Sequence, residues 1–300
     1  MPHNCPRCEK EFKTPAMLKH HADAKKQCAP VAELREAAAL AASSDFGRKV
    51  WAARNIMRGV GVTGLEALDS LVCLMALREV ERLYPRVGDP ATFELPTGLV
   101  ALARVKSYTR AAIASGTVGF SKLAALPSGG PCWSQAVRGA LAALEFHPDT
   151  GATCQVLYER VDEQFPIADD KAVCELIKYV AKNLKFDDEG DTLGKAYMTI
   201  VRDFLDGKEL GQFFTPPPLV NYLVSRAALR EGIPRAIGRV CDPTCGSGGF
   251  LAAAARAGAF EIHGSEIQAR VRLLGYFNAL VSSKGDRAIR IEARDFLRTP

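Results

Sequence analysis

The chain has 300 residues, of which 48% are hydrophobic and 24% are charged, and its formal net charge is +5. This composition is typical of a globular chain with a hydrophobic core, and the length predicts two domains with a small appendage. No apolar run reaches the roughly 18 residues needed to cross a bilayer, and the N-terminus has no secretory signal pattern. Nine scattered cysteines argue against a disulfide scaffold. We therefore expect an intracellular protein, in the nucleus or the cytoplasm, whose mild positive charge permits DNA as a partner.

Residues 1–30 carry a pattern of metal-ligating residue types. Cys5 and Cys8 are separated by two residues, as in the turn of a zinc knuckle, and His21 and Cys28 follow. The pattern is similar to that of the common zinc finger with two cysteine and two histidine ligands, in its variant with a terminal cysteine. The resemblance implies Zn2+ held by these four residues. Six residues separate the last two ligands, more than the usual three to five or so, so His20 or His3 stays open as the fourth ligand.

A short helix is expected inside this finger. Thr14 is a suitable N-cap and Pro15 a suitable first helical residue, while Phe12 and Leu18 would form a small core. The alternative to a zinc finger is a disordered, Lys-rich tail in which the cysteines bind no metal. Met17 stands at a position that usually reads bases but offers no good donor or acceptor, so the partner of the finger is either DNA or protein.

The next region is expected to be mostly helical. Residues 31–45 are Ala-rich and predict a helical linker, and residues 46–208 predict mostly helices. Apolar residues recur at helical spacing over residues 65–83 and again over 198–205. Two prolines and two glycines within residues 126–131 predict a loop. A generic helical bundle without a DNA role is the alternative for this region.

From residue 209 onward, strand patterns alternate with helix patterns. Strands are expected near residues 239–241, 261–265 and 289–293, and helices near 218–230, 249–257 and 268–283. This alternation is typical of an α/β fold, a doubly wound parallel sheet with right-handed crossovers.

A glycine-rich segment interrupts the first strand–helix pair. Residues 242–250 read Asp-Pro-Thr-Cys-Gly-Ser-Gly-Gly-Phe and follow an apolar run ending at Cys241. A strand that breaks into such a turn before a helix holds the ligand in doubly wound folds. The carboxylate of Asp242, in place of a phosphate-binding lysine, favours a neutral or cationic ligand. S-adenosylmethionine carries the amino group of an amino acid, which Asp242 could meet, whereas a nucleoside triphosphate is an anion without that group.

Three motifs in this order resemble a known family. Gly-Gln-Phe-Phe-Thr-Pro at residues 211–216, the glycine-rich segment and Gly-Ser-Glu-Ile at 264–267 are similar to those of the adenine-N6 DNA methyltransferases of type I restriction-modification systems, the modification-subunit family. The resemblance is looser over residues 58–65 and 192–197. It implies a helical N-terminal domain at 31–208 and a Rossmann-like, S-adenosylmethionine-binding domain, incomplete, at 209–300, both after the zinc finger expected at 1–30. DNA and a specificity subunit for target recognition are the implied partners.

The resemblance also implies roles for individual residues. Phe214 and Thr215 would line the methionine end of S-adenosylmethionine, and Asp242 with Gly246 would hold its amino-acid moiety. Glu266 would accept from the ribose hydroxyls, Ile267 would pack on the adenine and Asp295 would accept from the adenine amino group. The predicted cofactor-binding residues are Phe214, Thr215, Asp242, Thr244, Gly246, Ser247, Gly248, Glu266, Ile267 and Asp295.

Several of these residues have simpler interpretations. Asp295 could be a strand-end or N-cap aspartate, and at least one of Phe213 and Phe214 is expected in the core. Cys241 and Cys245 are expected to be small buried residues rather than nucleophiles or ligands.

The catalytic motif of the family is absent from the 300 residues. That motif is Asn-Pro-Pro followed by Phe or Tyr; residues 216–218 are Pro-Pro-Pro, preceded by Thr215 and followed by Leu219. We therefore predict no catalytic residue in this chain, and expect it to be the front part of a longer protein. Without the fourth strand of the fold, the strand before Asp242 is expected to have an open edge.

The sequence leaves two other functions open. One is a non-catalytic adaptor that binds DNA or protein through a finger and a decayed cofactor domain. The other is a methyltransferase that acts on RNA or on a protein amide. Intact donor-site residues argue against decay, and the helical domain favours DNA.

Overall fold

The computed structural model describes residues 3–4, 11–12, 14, 16–17, 19, 45–62, 64–130, 132–184, 215, 217–230, 233–234, 238–283 and 288–298. The chain forms two compact units. One comprises Met1–Trp51 with Thr192–Gln212, and the other comprises Ala52–Asp191 with Phe213–Pro300. The expected boundaries at residues 30 and 208 stay a prediction.

The described residues near the N-terminus form a small hairpin and the start of a helical turn. Strand β1 (His3–Asn4) pairs antiparallel with β2 (Glu11–Phe12). The Thr14 hydroxyl accepts a hydrogen bond from the Met17 amide at 3.3 Å, which is the N-cap geometry expected of that residue. The predicted zinc ligands Cys5, Cys8, His21 and Cys28 lie outside the described residues.

A series of helices follows, and all but the first lie wholly within the larger unit. Helices α1 to α9 are Asp45–Arg58, Gly64–Leu83, Leu99–Arg104, Ser107–Ser115, Phe120–Ala125, Trp133–Ala143, Gln155–Tyr158, Val161–Gln164 and Asp170–Asn183. Short 3-10 turns lie at Pro85–Gly88, Pro90–Thr92 and Leu144–Phe146. The predicted helix over residues 65–83 is confirmed as α2, and the predicted loop at 126–131 separates α5 from α6. The helix expected over residues 198–205 lies outside the described residues.

Helix α2 runs through the middle of the helical region. Residues 69–77 are all buried, because α2 contacts helices on several sides, including α5, α8 and α9. A helix that is apolar around its whole circumference is typical of a core position. Its buried Asp69 makes an ion pair with Arg270 at 2.9 Å, so the helical region is tied to the sheet region of the same unit.

The rest of the unit is an α/β element as predicted. After α10 (Pro217–Ala227), strands β5 (Arg239–Asp242), β6 (Glu261–Ser265) and β7 (Ala288–Glu292) form a parallel sheet in the order β5-β6-β7. Helices α11 (Gly249–Arg256) and α12 (Ala269–Ser282) connect the strands. Among the described residues β5 pairs only with β6, and its Arg239 and Cys241 are exposed.

One predicted boundary is wrong. The helix expected over residues 218–230 ends at Ala227, and β3 (Leu229–Arg230) pairs antiparallel with β4 (Ile233–Pro234). The intervening Gly232 and the following Pro234 favour a turn over a further helical turn. Within the described part of the chain, no helix is long and apolar enough to span a bilayer.

Candidate cofactor site

The carboxyl ends of the three parallel strands bring the predicted carboxylates to one edge of the sheet. Asp242 ends β5, Glu266 follows β6 and Asp295 lies three residues after β7. The register pairs Asp242 with Gly264 and Ser265 with Glu292, so these strand ends are adjacent. Open parallel sheets bind ligands at this edge.

The turn after Asp242 depends on two glycines with positive φ. Gly246 has φ 52° and Gly248 has φ 76°, in the left-handed region that favours glycine. A Cβ atom on Gly248 would lie 2.6 Å from the carbonyl oxygen of Gly275, which leaves no room for a side chain. The Cys245 amide donates to the Ser265 carbonyl at 3.0 Å, so the turn is also held to the end of β6.

Helix α12 supports the turn from behind. The Asn278 Nδ2 donates to the Ser247 carbonyl at 2.8 Å in a buried position. A Cβ on Gly275 would lie 2.8 Å from the Gly246 carbonyl oxygen. Backbone therefore packs directly on backbone, which fixes the turn in front of the N-terminus of α11.

Asp242 begins the turn with a half-buried carboxylate. Its Oδ1 accepts from the Thr244 amide at 3.1 Å. Burial raises the pKa of this carboxyl, and the Thr244 N–H acts in the opposite direction. A cationic group on a ligand would offset this unfavourable burial of charge.

The two cysteines beside this carboxylate differ. Cys245 is buried, and that burial raises the pKa of its thiol to about 12. It is therefore an uncharged thiol at neutral pH and a poor nucleophile or metal ligand. Cys241 is exposed, so the expectation that it is buried is wrong: it alternates with Val240 and, like Arg239, lies on the exposed side of β5.

Glu266 sits between β6 and α12 with only 7% of its surface exposed. Its backbone amide donates to the Glu292 carbonyl at 3.0 Å, and its Oε1 accepts from the Gln268 amide at 2.7 Å. The carboxylate thus has a fixed position at the start of α12. The neighbouring Ile267 is 65% exposed, which leaves an apolar side chain beside the carboxylate for a flat ligand.

Asp295 makes local contacts within the segment that follows β7. Its Oδ1 accepts from the Leu297 amide at 3.1 Å, and its Oδ2 lies 3.4 Å from the Arg298 Nε. It shapes the turn after β7, and its predicted contact with an adenine amino group stays a prediction.

The remaining predicted residues lie near the turn or outside the described part. Ser247 and Gly248 are buried within the turn, and Thr244 is exposed. Thr215 is exposed and precedes α10. Helix α10 packs close to the start of α11, since a Cβ built on Gly249 would lie 4.0 Å from the buried side chain of Val220. Phe214 lies outside the described residues.

Three residues of α12 that contact this site were not predicted from the sequence: Arg272, Gly275 and Asn278. Their three-residue spacing, typical of one helix face, was the available signal.

Among the described residues, no group of three or more His, Cys, Asp or Glu side chains is arranged to hold a metal ion. The predicted zinc ligands are not among these residues.

Comparisons with known proteins agree with this geometry. The family model for N-6 DNA methylase matches residues 188–300, which confirms the resemblance over that segment. The fold is similar to that of the methyltransferase subunit of a type I restriction-modification system from Streptococcus thermophilus, with 15% identity, a TM-score of 0.50 and 84% of this chain covered. The chain spans 58% of the length of that subunit. No curated protein sequence matches the chain.

Proposed function

We propose that this chain provides the S-adenosylmethionine-binding half of an adenine-N6 DNA methyltransferase, as a modification subunit of the type I kind. The observation that carries the proposal is the edge of the sheet, where Asp242, Glu266 and the glycine-rich turn lie at the ends of β5 and β6. The N-6 DNA methylase match over residues 188–300 supports it.

Each part of the edge suits one part of the cofactor. Asp242 would accept from the ammonium group, whose charge would offset the burial of this carboxylate. The amides at the N-terminus of α11 would face the cofactor carboxylate. Glu266 would accept from the ribose hydroxyls and Ile267 would cover the adenine, with Phe214, Thr215 and Asp295 completing the pocket as predicted.

The residues at this edge would contribute to the reaction by positioning the methyl donor. When bound, S-adenosylmethionine supplies an activated methyl group for in-line displacement by a nucleophilic nitrogen. Asp242, the turn and Glu266 would hold the donor in one orientation and so lower the entropic cost of the reaction. The 300 residues contain no Asn-Pro-Pro-Phe or Asn-Pro-Pro-Tyr motif, so we assign no acceptor-side role to any of them.

The proposal is tested by calorimetric titration of S-adenosylmethionine into the chain and its variants. We expect Asp242→Ala and Glu266→Ala each to weaken binding by about tenfold or more, because each removes a charge-assisted hydrogen bond. The control is Glu175→Ala, an exposed carboxylate on α9, which should bind like the wild type. Unchanged affinity in Asp242→Ala would refute the donor-site assignment.

We further propose DNA as the acceptor and a specificity subunit as the partner, from the restriction-modification context of the structurally similar subunit. The net charge of +5 supports a polyanionic partner. Fluorescence anisotropy with duplex DNA tests this, and the affinity should fall as salt rises. Tighter binding to RNA of equal length would favour the RNA methyltransferase instead.

We also propose that residues 1–30 form a zinc finger. The hairpin β1–β2 and the Thr14 cap support a strand–strand–helix arrangement, and the soft donors Cys5, Cys8, His21 and Cys28 suit Zn2+. Metal analysis should give one zinc per chain, lost in Cys5→Ala. If Cys28→Ala keeps its zinc but a variant of His20 or His3 loses it, that histidine is the fourth ligand.

A further inference from the structure

A buried arginine lies directly behind the Glu266 loop. The Arg272 side chain, on α12, is 3% exposed, and this burial lowers the pKa of the guanidinium. Burial of a charged arginine is costly unless its partners compensate. The identity of those partners indicates what the residue is for.

Arg272 connects the helical region with the candidate site. Its Nη2 makes an ion pair with the carboxylate of Glu159, just after α7, and its Nη1 donates to the backbone carbonyl of Glu266 at 3.4 Å. The Nε atom has no hydrogen-bond partner within the described part of the chain. The guanidinium is therefore incompletely satisfied where it is, although it is almost fully buried.

The contacts of Glu266 show what the arginine adds. The Glu266 amide is held by the Glu292 carbonyl, and Oε1 is held by the Gln268 amide. The carbonyl is the backbone group that Arg272 holds. The three contacts together restrain the peptide groups on both sides of Glu266 and one oxygen of its carboxylate.

Stability alone is a weak explanation for this arrangement. Replacing a buried ion pair by apolar residues of similar volume is often neutral or stabilising. The neighbouring positions Val271, Leu273 and Leu274 are apolar and buried, so an apolar residue would suit this helix. The cost of the charge is explained if it orients a group that must meet a ligand in one geometry.

We infer that Arg272 is a positioning residue which, anchored by Glu159, fixes the Glu266 carboxylate for the two ribose hydroxyls of the donor. This inference rests on the proposed function. It assigns a donor-binding role to the contact between the helical region and the sheet region of the larger unit. Arg272 itself does not touch the donor.

The test is the preference of the chain for a complete ribose. S-adenosylhomocysteine and its 2′-deoxy analogue are titrated into the wild type, Glu266→Gln, Arg272→Met and Glu159→Gln, with thermal unfolding measured in parallel. Arg270→Met is the matched control, because Arg270 lies on the same helix and makes its own ion pair with Asp69 of the helical region, but does not hydrogen-bond to Glu266 among the described residues.

We expect the wild type to bind the ribose form about tenfold more tightly than the deoxy form. This preference should be lost in Glu266→Gln, and largely lost in Arg272→Met and Glu159→Gln. Arg270→Met should keep it even where its unfolding temperature falls, and Arg272→Lys should recover part of it by restoring a donor.

Two results would overturn the inference, and they can be told apart. If the wild type binds neither ligand, the proposed function fails and the inference with it. If the wild type binds and prefers ribose, but Arg272→Met and Glu159→Gln keep the full preference, the role of Arg272 is structural only. If Arg272→Met does not fold, Glu159→Gln and Arg272→Lys decide the question.

Discussion

At the residue scale, the half-buried carboxylate of Asp242 lowers the stability of the fold but has a proposed role in ligand binding. Burial raises the pKa of its carboxyl above the ordinary value of 3.8, so the folded chain holds this proton more tightly than the unfolded chain. The associated stability is fully present below the unfolded pKa and is lost as pH rises through the folded pKa. At neutral pH the ionised Asp242 therefore opposes folding.

Asp242→Asn should accordingly separate stability from binding. The asparagine keeps an oxygen for the Thr244 amide but carries no charge. We expect a higher free energy of unfolding than the wild type at about pH 7, with the difference vanishing below the unfolded pKa. Affinity for S-adenosylmethionine should fall about tenfold or more, because the ammonium loses its ionic partner. Urea unfolding across pH and calorimetry measure the two effects.

Asp162 provides the control with the opposite sign. The hydrogen bond from Lys106 lowers the pKa of this carboxyl, so its stabilising contribution is present above pH 3.8 and is lost as pH falls through the folded pKa. Asp162→Asn should therefore destabilise the chain at neutral pH and leave cofactor affinity unchanged. Destabilisation by both substitutions at neutral pH would contradict the account of Asp242.

At the element scale, the strand–turn–helix depends on its glycines unequally. Gly246 and Gly248 both have positive φ, but a Cβ on Gly246 meets nothing within 4 Å, whereas one on Gly248 meets the Gly275 carbonyl. We expect Gly246→Ala to cost about 1–2 kcal/mol from backbone strain. Gly248→Ala should cost about 1–3 kcal/mol more, because α12 must move.

Urea unfolding of the two glycine variants checks this order. Circular dichroism of each variant should first establish that the fold is retained. Equal destabilisation of Gly246→Ala and Gly248→Ala would mean that α12 does not press on the turn as closely as the geometry indicates.

The sequence was sufficient to predict the elements of this site but not what supports them. The glycines after an apolar strand, and the acidic residue after the next strand, are local signals with a known geometry, and they predicted β5, α11 and β6. The spacing of Arg272 and Asn278 places them on one helix face, but it does not give the partners of that face, and so it does not predict their contacts with Glu266 and Ser247. They depend on how α12 is rotated about its axis, which is decided by packing on both sides of the helix.

At the scale of the whole molecule, Ala52–Asp191 and Phe213–Pro300 form one compact unit, in which the helical region packs against the sheet region. Helix α12 lies against α2 and α7 as well as α11 and β7, and residues 271–280 are all buried. The Asp69–Arg270 pair joins residues 201 positions apart. No local pattern encodes a contact at that separation.

This shared core predicts that cofactor binding stabilises the helical region too. Trp133 on α6 is 2% exposed and reports unfolding of that region. The other tryptophan, Trp51, is replaced by phenylalanine so that Trp133 is the sole reporter. Because a ligand stabilises the whole cooperative unit to which it binds, about 2.7 kcal/mol at a hundredfold excess over Kd, S-adenosylmethionine should raise the unfolding midpoint seen by Trp133.

The size of that shift distinguishes one cooperative unit from two. If the regions unfold together, the midpoint seen by Trp133 should move as far as that seen by far-UV circular dichroism, and Asp242→Ala should reduce both shifts by the same amount. If calorimetry shows binding while the Trp133 transition stays in place, the helical region unfolds independently of the sheet. The ion pairs of Arg270 and Arg272 would then be too weak to couple the two regions, and the donor site would depend on the sheet region alone.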